Sequence, residues 1–265
     1  MKNSNKQWIV LVARIGYSAK AIIYGILGLL IVYAAYTASA VSSVSKKSVF
    51  QEILSTPFGT VSLSAVIIGI ICYVVWRFVQ GVTNPSDLDM SKPSKIMQRV
   101  FYFFSGVAYS AAAYAATKVL MGSSDNSENT KKQVGESILQ ETWGVILIAA
   151  IGVAVFVFAV IQFKHAYKQD FMDKFVSSVS ATERNLIKQV GRGGYIARGV
   201  VYTIVAGFIG YAAYTSNVNE AGGLGKALQT LMEQPFGPWL AGAVGVGMIC
   251  FSVFCGFEGR YRKVT

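Results

Sequence analysis

Gly191-Arg192-Gly193-Gly194-Tyr195-Ile196-Ala197-Arg198-Gly199-Val200-Val201-Tyr202 is the stretch from which the chain's organisation can be read. Reduced to Arg-x2-Tyr-x2-(Lys/Ser/Arg)-x3-Tyr, its frame occurs three times. Arg14, Tyr17, Lys20 and Tyr24 carry it first, Arg99, Tyr102, Ser105 and Tyr109 second, and Arg192, Tyr195, Arg198 and Tyr202 third. Each copy stands where a polar segment runs into a long apolar one, the entry of a membrane helix. Gly191-x-Gly-Gly resembles a phosphate loop only loosely. With no strand before it, the run reads as a turn into the helix.

Working outward, apolar segments are predicted over 10–36, 58–82, 100–121, 143–163, 195–214 and 236–257. Each is close to the roughly 20 residues that cross a bilayer as a helix. Composition agrees: 53% of residues are hydrophobic, 14% are charged and the mean hydropathy is +0.47, whereas a soluble domain carries about 25% charged residues. The expected fold class is an all-α integral membrane protein of six transmembrane helices. No small-residue cleavage site precedes the first span, so it is expected to stay as its own insertion signal. Between the fourth and fifth spans, Ser180-x-x-Glu183 has the form of a capping box, and 182–189 is predicted as a short amphipathic helix or an irregular linker.

The net charge of +11 invites a nucleic-acid reading, but the placement of the charges argues against it. Residues 1–20, 77–99, 164–198 and 260–265 hold 18 of the 24 Lys and Arg, the bias that keeps basic loops in the cytoplasm. Both termini are predicted cytoplasmic in a bacterial inner membrane, with the lipid bilayer as partner, anionic lipids at the cytoplasmic face, and room for a membrane-protein partner. No nucleic acid is expected. Cys72, Cys250 and Cys255 fall inside the spans, so no disulfide framework is expected.

Shifting the first hairpin by 85 residues gives the second, and by 178 the third, without a gap. Pro57-Phe58-Gly59 falls on Thr142-Trp143-Gly144 and Pro235-Phe236-Gly237, and Tyr73 falls on Phe158 and Phe251. The repeats are bounded as 9–83, 94–168 and 187–261, with 169–186 as a cytoplasmic linker and one membrane domain overall. Copies that begin and end on one side are parallel and related by an axis along the membrane normal. A pseudo-threefold arrangement follows, with a row or irregular bundle as the alternative.

Gly194-x-x-Ala197-Arg198-Gly199-Val200-Val201-Tyr202 together with Gln234-Pro235-Phe236-Gly237 resembles a bacterial inner-membrane family, domain of unknown function 1206. The resemblance covers essentially the whole chain and implies three copies of a two-helix unit. It implies no activity, cofactor or catalytic residue. The first copy departs from the pattern with Lys20 for Arg, the second with the uncharged Ser105.

Residues i, i+3, i+6 and i+10 share one helical face. The frame is therefore a stripe climbing from Arg at the interface, through Lys20, Ser105 or Arg198 roughly 9 Å inside, to Tyr24, Tyr109 or Tyr202 near the midplane. Buried phenols and ionisable groups inside a span face protein or water, which makes these residues candidates for a cavity with a basic vestibule. The alternatives are structural bridging by the tyrosines and snorkelling by Lys20 and Arg198.

The even-numbered spans add Arg77, Gln162 and Cys255 at one equivalent position, and Gln80, His165 and Glu258 at another. Lys20 or Arg198 is the expected partner of Glu258, the alternative being a solvated helix end. His165 has no second histidine with which to hold haem or a metal. Small-residue pairs Gly25/Gly28, Gly207/Gly210, Ala241/Gly245 and Ala243/Gly247 are expected to pack helices. No catalytic motif, metal site or cofactor is expected, so the chain reads as a non-enzyme. A small-solute or ion pore or carrier is the first expectation, and a scaffold binding lipid or a partner is the other.

Overall fold

The computed structural model describes residues 4–37, 46–55, 57–83, 93–122, 142–217, 220–221 and 223–263. Among them the chain forms eight α-helices, which we number α1 (Ser4–Tyr36), α2 (Lys46–Ser55), α3 (Gly59–Thr83), α4 (Pro93–Leu120), α5 (Thr142–Lys168), α6 (Ala181–Thr215), α7 (Leu224–Met232) and α8 (Gly237–Tyr261). A 3-10 turn, Asp170–Lys174, joins α5 to α6. Five helices, α1, α3, α5, α6 and α8, are long and apolar enough to cross a membrane. The remaining long helix, α4, has 28 residues but is diluted by alanine, tyrosine and Lys118. At 1.5 Å per residue its length is ample for a span.

The helices pack in the order α4, α3, α1, α8, α6, α5. Within the first hairpin α1 lies against α3, and within the third α6 lies against α8. Between hairpins α3 meets α4, α5 meets α6, and α8 returns to meet α1. The short helices α2 and α7 cover one end of the bundle. At the other end α1 begins and α8 finishes, so a Cβ added at Gly259 would stand 3.4 Å from the Arg14 carbonyl. We call this the terminal end.

Glycine sets the close crossings. A Cβ at Gly16 would lie 2.7 Å from the Tyr73 Cα, and one at the equivalent Gly194 would lie 2.6 Å from the Phe251 Cα. Gly28 and Gly245 face each other's carbonyls where α1 crosses α8, at 2.8 and 3.0 Å from an added Cβ. Without side chains between them the backbones approach and gain dispersion contacts. Gly207 does not follow the expectation, because an added Cβ there would meet open space, whereas the Gly210 backbone lies against Gly152 of α5, 3.4 Å from an added Cβ.

The Gly191 run is also corrected. It is not a turn: α6 continues through it from Ala181. Ser180 and Glu183 do form the capping box that starts the helix. The glycines fit here because neighbouring groups lie close against them, a ring at Gly191 and helix backbone at Gly194. An added Cβ at Gly191 would stand 2.8 Å from the Phe171 ring, and Gly194 is pressed on Phe251.

Candidate functional site

The stripes of α1, α4 and α6 meet. Lys20 and Arg198 are only 6% and 8% exposed, so neither snorkels to an interface. Lys20 Nζ donates to Tyr73 Oη at 3.4 Å and lies 4.9 Å from the centroid of the Phe251 ring. Arg198 Nη2 donates to Tyr202 Oη at 3.2 Å, and its guanidinium lies 4.3 Å from the same Phe251 ring and 5.6 Å from the Tyr24 ring. Tyr24 stands edge-on to Phe251 at 4.9 Å, and Tyr73 edge-on to Tyr109 at 4.6 Å. The Tyr24 and Tyr109 phenols lie within electrostatic reach of each other. Phe158, the second-repeat counterpart of Tyr73, packs on Tyr202 at 5.0 Å.

A second layer lies toward the terminal end. Arg77 donates to Tyr73 Oη through Nε at 2.8 Å, also through Nη2, and to Gln80 Oε1 at 3.0 Å. Tyr73 thus accepts from both Lys20 and Arg77. Glu258 pairs with Arg262, one turn along the chain, and not with Lys20 or Arg198. The reason is local: residues four apart on a helix are neighbours, and the first carboxylate-to-cation contact uses the nearest chain. Arg262 also covers the Tyr17 ring at 5.0 Å, and Trp76 Nε1 donates to Tyr17 Oη at 3.4 Å. Burial pushes the Lys174 ammonium down to about 8, and the Arg262 charge adds to the effect.

The linker before α6 closes this end. Phe171 stacks on Tyr195 at 5.3 Å and meets Phe254 at 5.1 Å. Val176 N donates to the Tyr261 carbonyl at 3.0 Å, and Lys263 N to the Lys174 carbonyl at 2.8 Å. His165 hydrogen-bonds Asp170 and lies against Tyr195. It belongs to this closure rather than to the layer of Lys20 and Arg198. Ser105 is half-buried on α4 and Gln162 is buried on α5.

Tyr24, Tyr109, Tyr202, Lys20 and Arg198 are therefore brought together, with Arg77 joined through Tyr73. Sequence reasoning did not place Tyr73, Phe251, Arg262 or Lys174 at the site, and it had Tyr17 only as a member of the repeated frame. The pairing of Tyr73 with Phe158 and Phe251 across the repeats was a usable signal for the first two. Arg262 lies beyond the apolar segment, and nothing in its spacing to the stripes marks it.

Five basic side chains, Lys20, Arg77, Lys174, Arg198 and Arg262, are buried or half-buried in these layers, while the acid among them is Glu258, already paired. Among the described residues, two buried polar atoms, Arg198 Nε and Gln162 Oε1, have no hydrogen-bond partner. Aromatic faces attract cations, but they supply no negative charge to balance the surplus. Chemically the arrangement can hold an anion.

These features define a helical, membrane-type protein built from three copies of a two-helix unit around a buried basic and aromatic cluster. The chain belongs to the family described as Domain of Unknown Function (DUF1206), whose model matches three times, over residues 15–84, 100–169 and 193–262. A relative from Bacillus subtilis (strain 168), YxxB, is described as an uncharacterized protein. It is 27% identical over 267 residues, covering 100% of this chain and 95% of the relative. No solved structure matches the chain.

Proposed function

We propose that the protein is a non-enzymatic membrane carrier of a small anion, binding it at Lys20 and Arg198. In this reading six helices, α4 included, cross a bacterial inner membrane with pseudo-threefold order and with both termini in the cytoplasm. The packing sequence supports the order, because each hairpin's second helix meets the next hairpin's first. The bias of basic residues supports the orientation.

The observation that carries the proposal is Arg198. It is buried against aromatic faces, and among the described residues no carboxylate hydrogen-bonds it and its Nε has no partner. Isolated charge in a low-dielectric interior costs several kcal/mol or more, so a site of this kind favours a ligand that brings the missing charge. A buried guanidinium with a free donor suits a phosphate-like or carboxylate oxygen. The rings of Tyr24, Phe251, Tyr73 and Tyr109 meet directly at this level, so passage needs a rearrangement, and a carrier fits better than a permanently open pore.

Flux of inorganic anions into proteoliposomes is the direct test, compared with Arg198→Gln and Tyr24→Phe. Saturable uptake that falls in Arg198→Gln supports the carrier. Absence of flux for phosphate, sulfate and small carboxylates in correctly folded protein would end it.

A scaffold that binds lipid is the second reading. It is favoured by an apolar groove of about 800 Å³ between α1 and α3, running from Arg14 past Ser18, Ala19 and Gly69 to Ile53. Copurified lipid displaced by Ile22→Trp, at an exposed wall of the groove, would support that reading over the carrier.

A further inference from the structure

The second hairpin does not close as the other two do. In the first, α1 and α3 cross on Gly16 against Tyr73 and on Gly69 against Ala19; in the third, α6 and α8 cross on Gly194 against Phe251 and on Gly247 against Ala197. The four positions correspond residue for residue under the shift of 178. Under the shift of 85 the second hairpin has Phe101 for Gly16, Phe104 for Ala19, Ala154 for Gly69 and Phe158 for Tyr73. Where Ala19 and Ala197 fit closely against a facing glycine, the phenyl group of Phe104 cannot be accommodated against Ala154 at the same spacing, so α4 and α5 stand apart.

Exposure agrees. Ala19 and Ala197 are each 5% exposed, whereas Phe104 is 63% exposed. Gly69 and Gly247 are buried, whereas Ala154 is exposed. Among the described residues, α4 and α5 have no packing comparable to that of the other two hairpins.

The seam lies beside the basic layer. Phe158 of α5 stands 5.9 Å from the Arg198 guanidinium. Gln162 follows Phe158 by one helical turn and thus shares its face; it is 3% exposed with Oε1 unpartnered. On the α4 side the place of the third cation is taken by the small, uncharged Ser105. Two buried polar atoms without partners therefore occur close to the opening, Gln162 Oε1 on α5, which flanks it, and Arg198 Nε on α6, which packs against α5. Beyond it the exposed side chains are apolar, Phe104, Val107, Val153 and Phe156 among them.

We infer that the seam between α4 and α5 is a lateral doorway from the bilayer, and that its occupant is a lipid with an anionic, phosphate-class headgroup held at Arg198. The chemistry of each end selects the occupant. Hydrocarbon lies outside the seam, so what enters must be apolar over most of its length. The interior has a surplus of cations, so its head must be negative. Arg198 Nε–H donates to a headgroup oxygen, and Gln162 accepts from a headgroup hydroxyl or a protonated phosphate oxygen. The head would be drawn roughly 9 Å inward from the level of Arg192. This inference rests on the reading of Arg198 as an anion site and adds the route and the source of the anion.

The test uses the full-length protein in phosphatidylcholine nanodiscs containing a phosphatidic acid probe with a photoreactive acyl chain. Labelling is expected on the facing peptides of α4, around Phe104 and Ala108, and of α5, around Ala154 and Phe158. In Arg198→Gln it should fall roughly tenfold, the scale of a lost charge-assisted hydrogen bond. Arg198→Lys should retain an intermediate level, and a phosphatidylcholine probe should not concentrate there. The triple change Phe101→Gly, Phe104→Ala and Ala154→Gly, which gives the second hairpin the small residues found at the crossings of the other two, should reduce labelling without unfolding the protein. Labelling spread evenly over the outer helices, or indifferent to both changes, overturns the doorway. Inorganic phosphate provides the separate arm. If it stabilises the protein in an Arg198-dependent way while the seam goes unlabelled, the anion site stands and the lateral route falls. If neither probe depends on Arg198, both readings fall.

Discussion

Lys20 and Arg198, equivalent residues of the first and third repeats, approach the same aromatic ring, Phe251, to 4.9 and 4.3 Å. Two like charges on one ring repel each other, and burial increases the repulsion. The ring and the phenols of Tyr73 and Tyr202 compensate only in part, because a quadrupole and a hydroxyl dipole carry no net charge. A bound anion would remove the imbalance, which is why this pair rather than any single residue marks the site.

Removing the shared ring therefore acts on both cations at once. Phe251→Leu should destabilise the protein by about 3 kcal/mol or more, combining lost packing with lost cation–π attraction. Because the ring's contribution depends on the charges, Lys20→Met and Phe251→Leu together should cost less than their sum. Additive unfolding free energies in mild detergent would show that Lys20 gains nothing from the ring.

Glu258 supplies a second, independent comparison. Its partner is Arg262, so Glu258→Gln leaves a largely buried guanidinium uncompensated, at a cost of about 3 to 5 kcal/mol. Glu258→Gln with Arg262→Gln should be strongly non-additive, whereas Glu258→Gln with Arg198→Gln should be close to additive. The reverse pattern would reassign the carboxylate to the deeper layer.

How much of this was legible beforehand depends on range. The helices and the threefold use of the Arg-x2-Tyr frame could be read because hydropathy and spacing are local properties. The convergence of Tyr24, Tyr109 and Tyr202 was an expectation from burial cost alone. The unbroken course of α6 could not be read, because Gly191-Arg-Gly-Gly has the composition of a breaker. The Phe171 ring, 20 residues before Gly191, and the Phe251 backbone, 57 residues after Gly194, explain the glycines. The opening of the second hairpin was hidden in Phe104, an ordinary residue in an apolar helix until the crossing glycines are known.

The glycines themselves give a paired prediction. Gly194→Val should severely impair folding, because its side chain would enter the Phe251 backbone, 2.6 Å from the first added carbon. Gly207→Ala meets nothing within 4 Å and should be neutral or stabilise by up to about 1 kcal/mol through helix propensity. Thermal unfolding in detergent separates the two. Equal losses at both positions would mean that general backbone stiffening, not the crossing, governs the effect.

Lys174 sets a pH dependence whose sign can be worked out. Burial first, and then the Arg262 charge, lower its folded value to about 8, against roughly 10.4 in an unfolded chain. Below the folded value both states hold the proton, and the penalty of keeping the charge in the fold is fully present. Between about 8 and 10.4 the unfolded chain holds the proton and the folded chain does not, so this group makes stability rise with pH. Lys174→Met removes the group, and with it the rise. The variant should therefore be more stable than the native protein at neutral pH, with the gap narrowing as pH climbs toward 10. Unfolding midpoints of the two proteins measured across that window decide the matter, and parallel curves would mean that Lys174 titrates as an ordinary surface lysine.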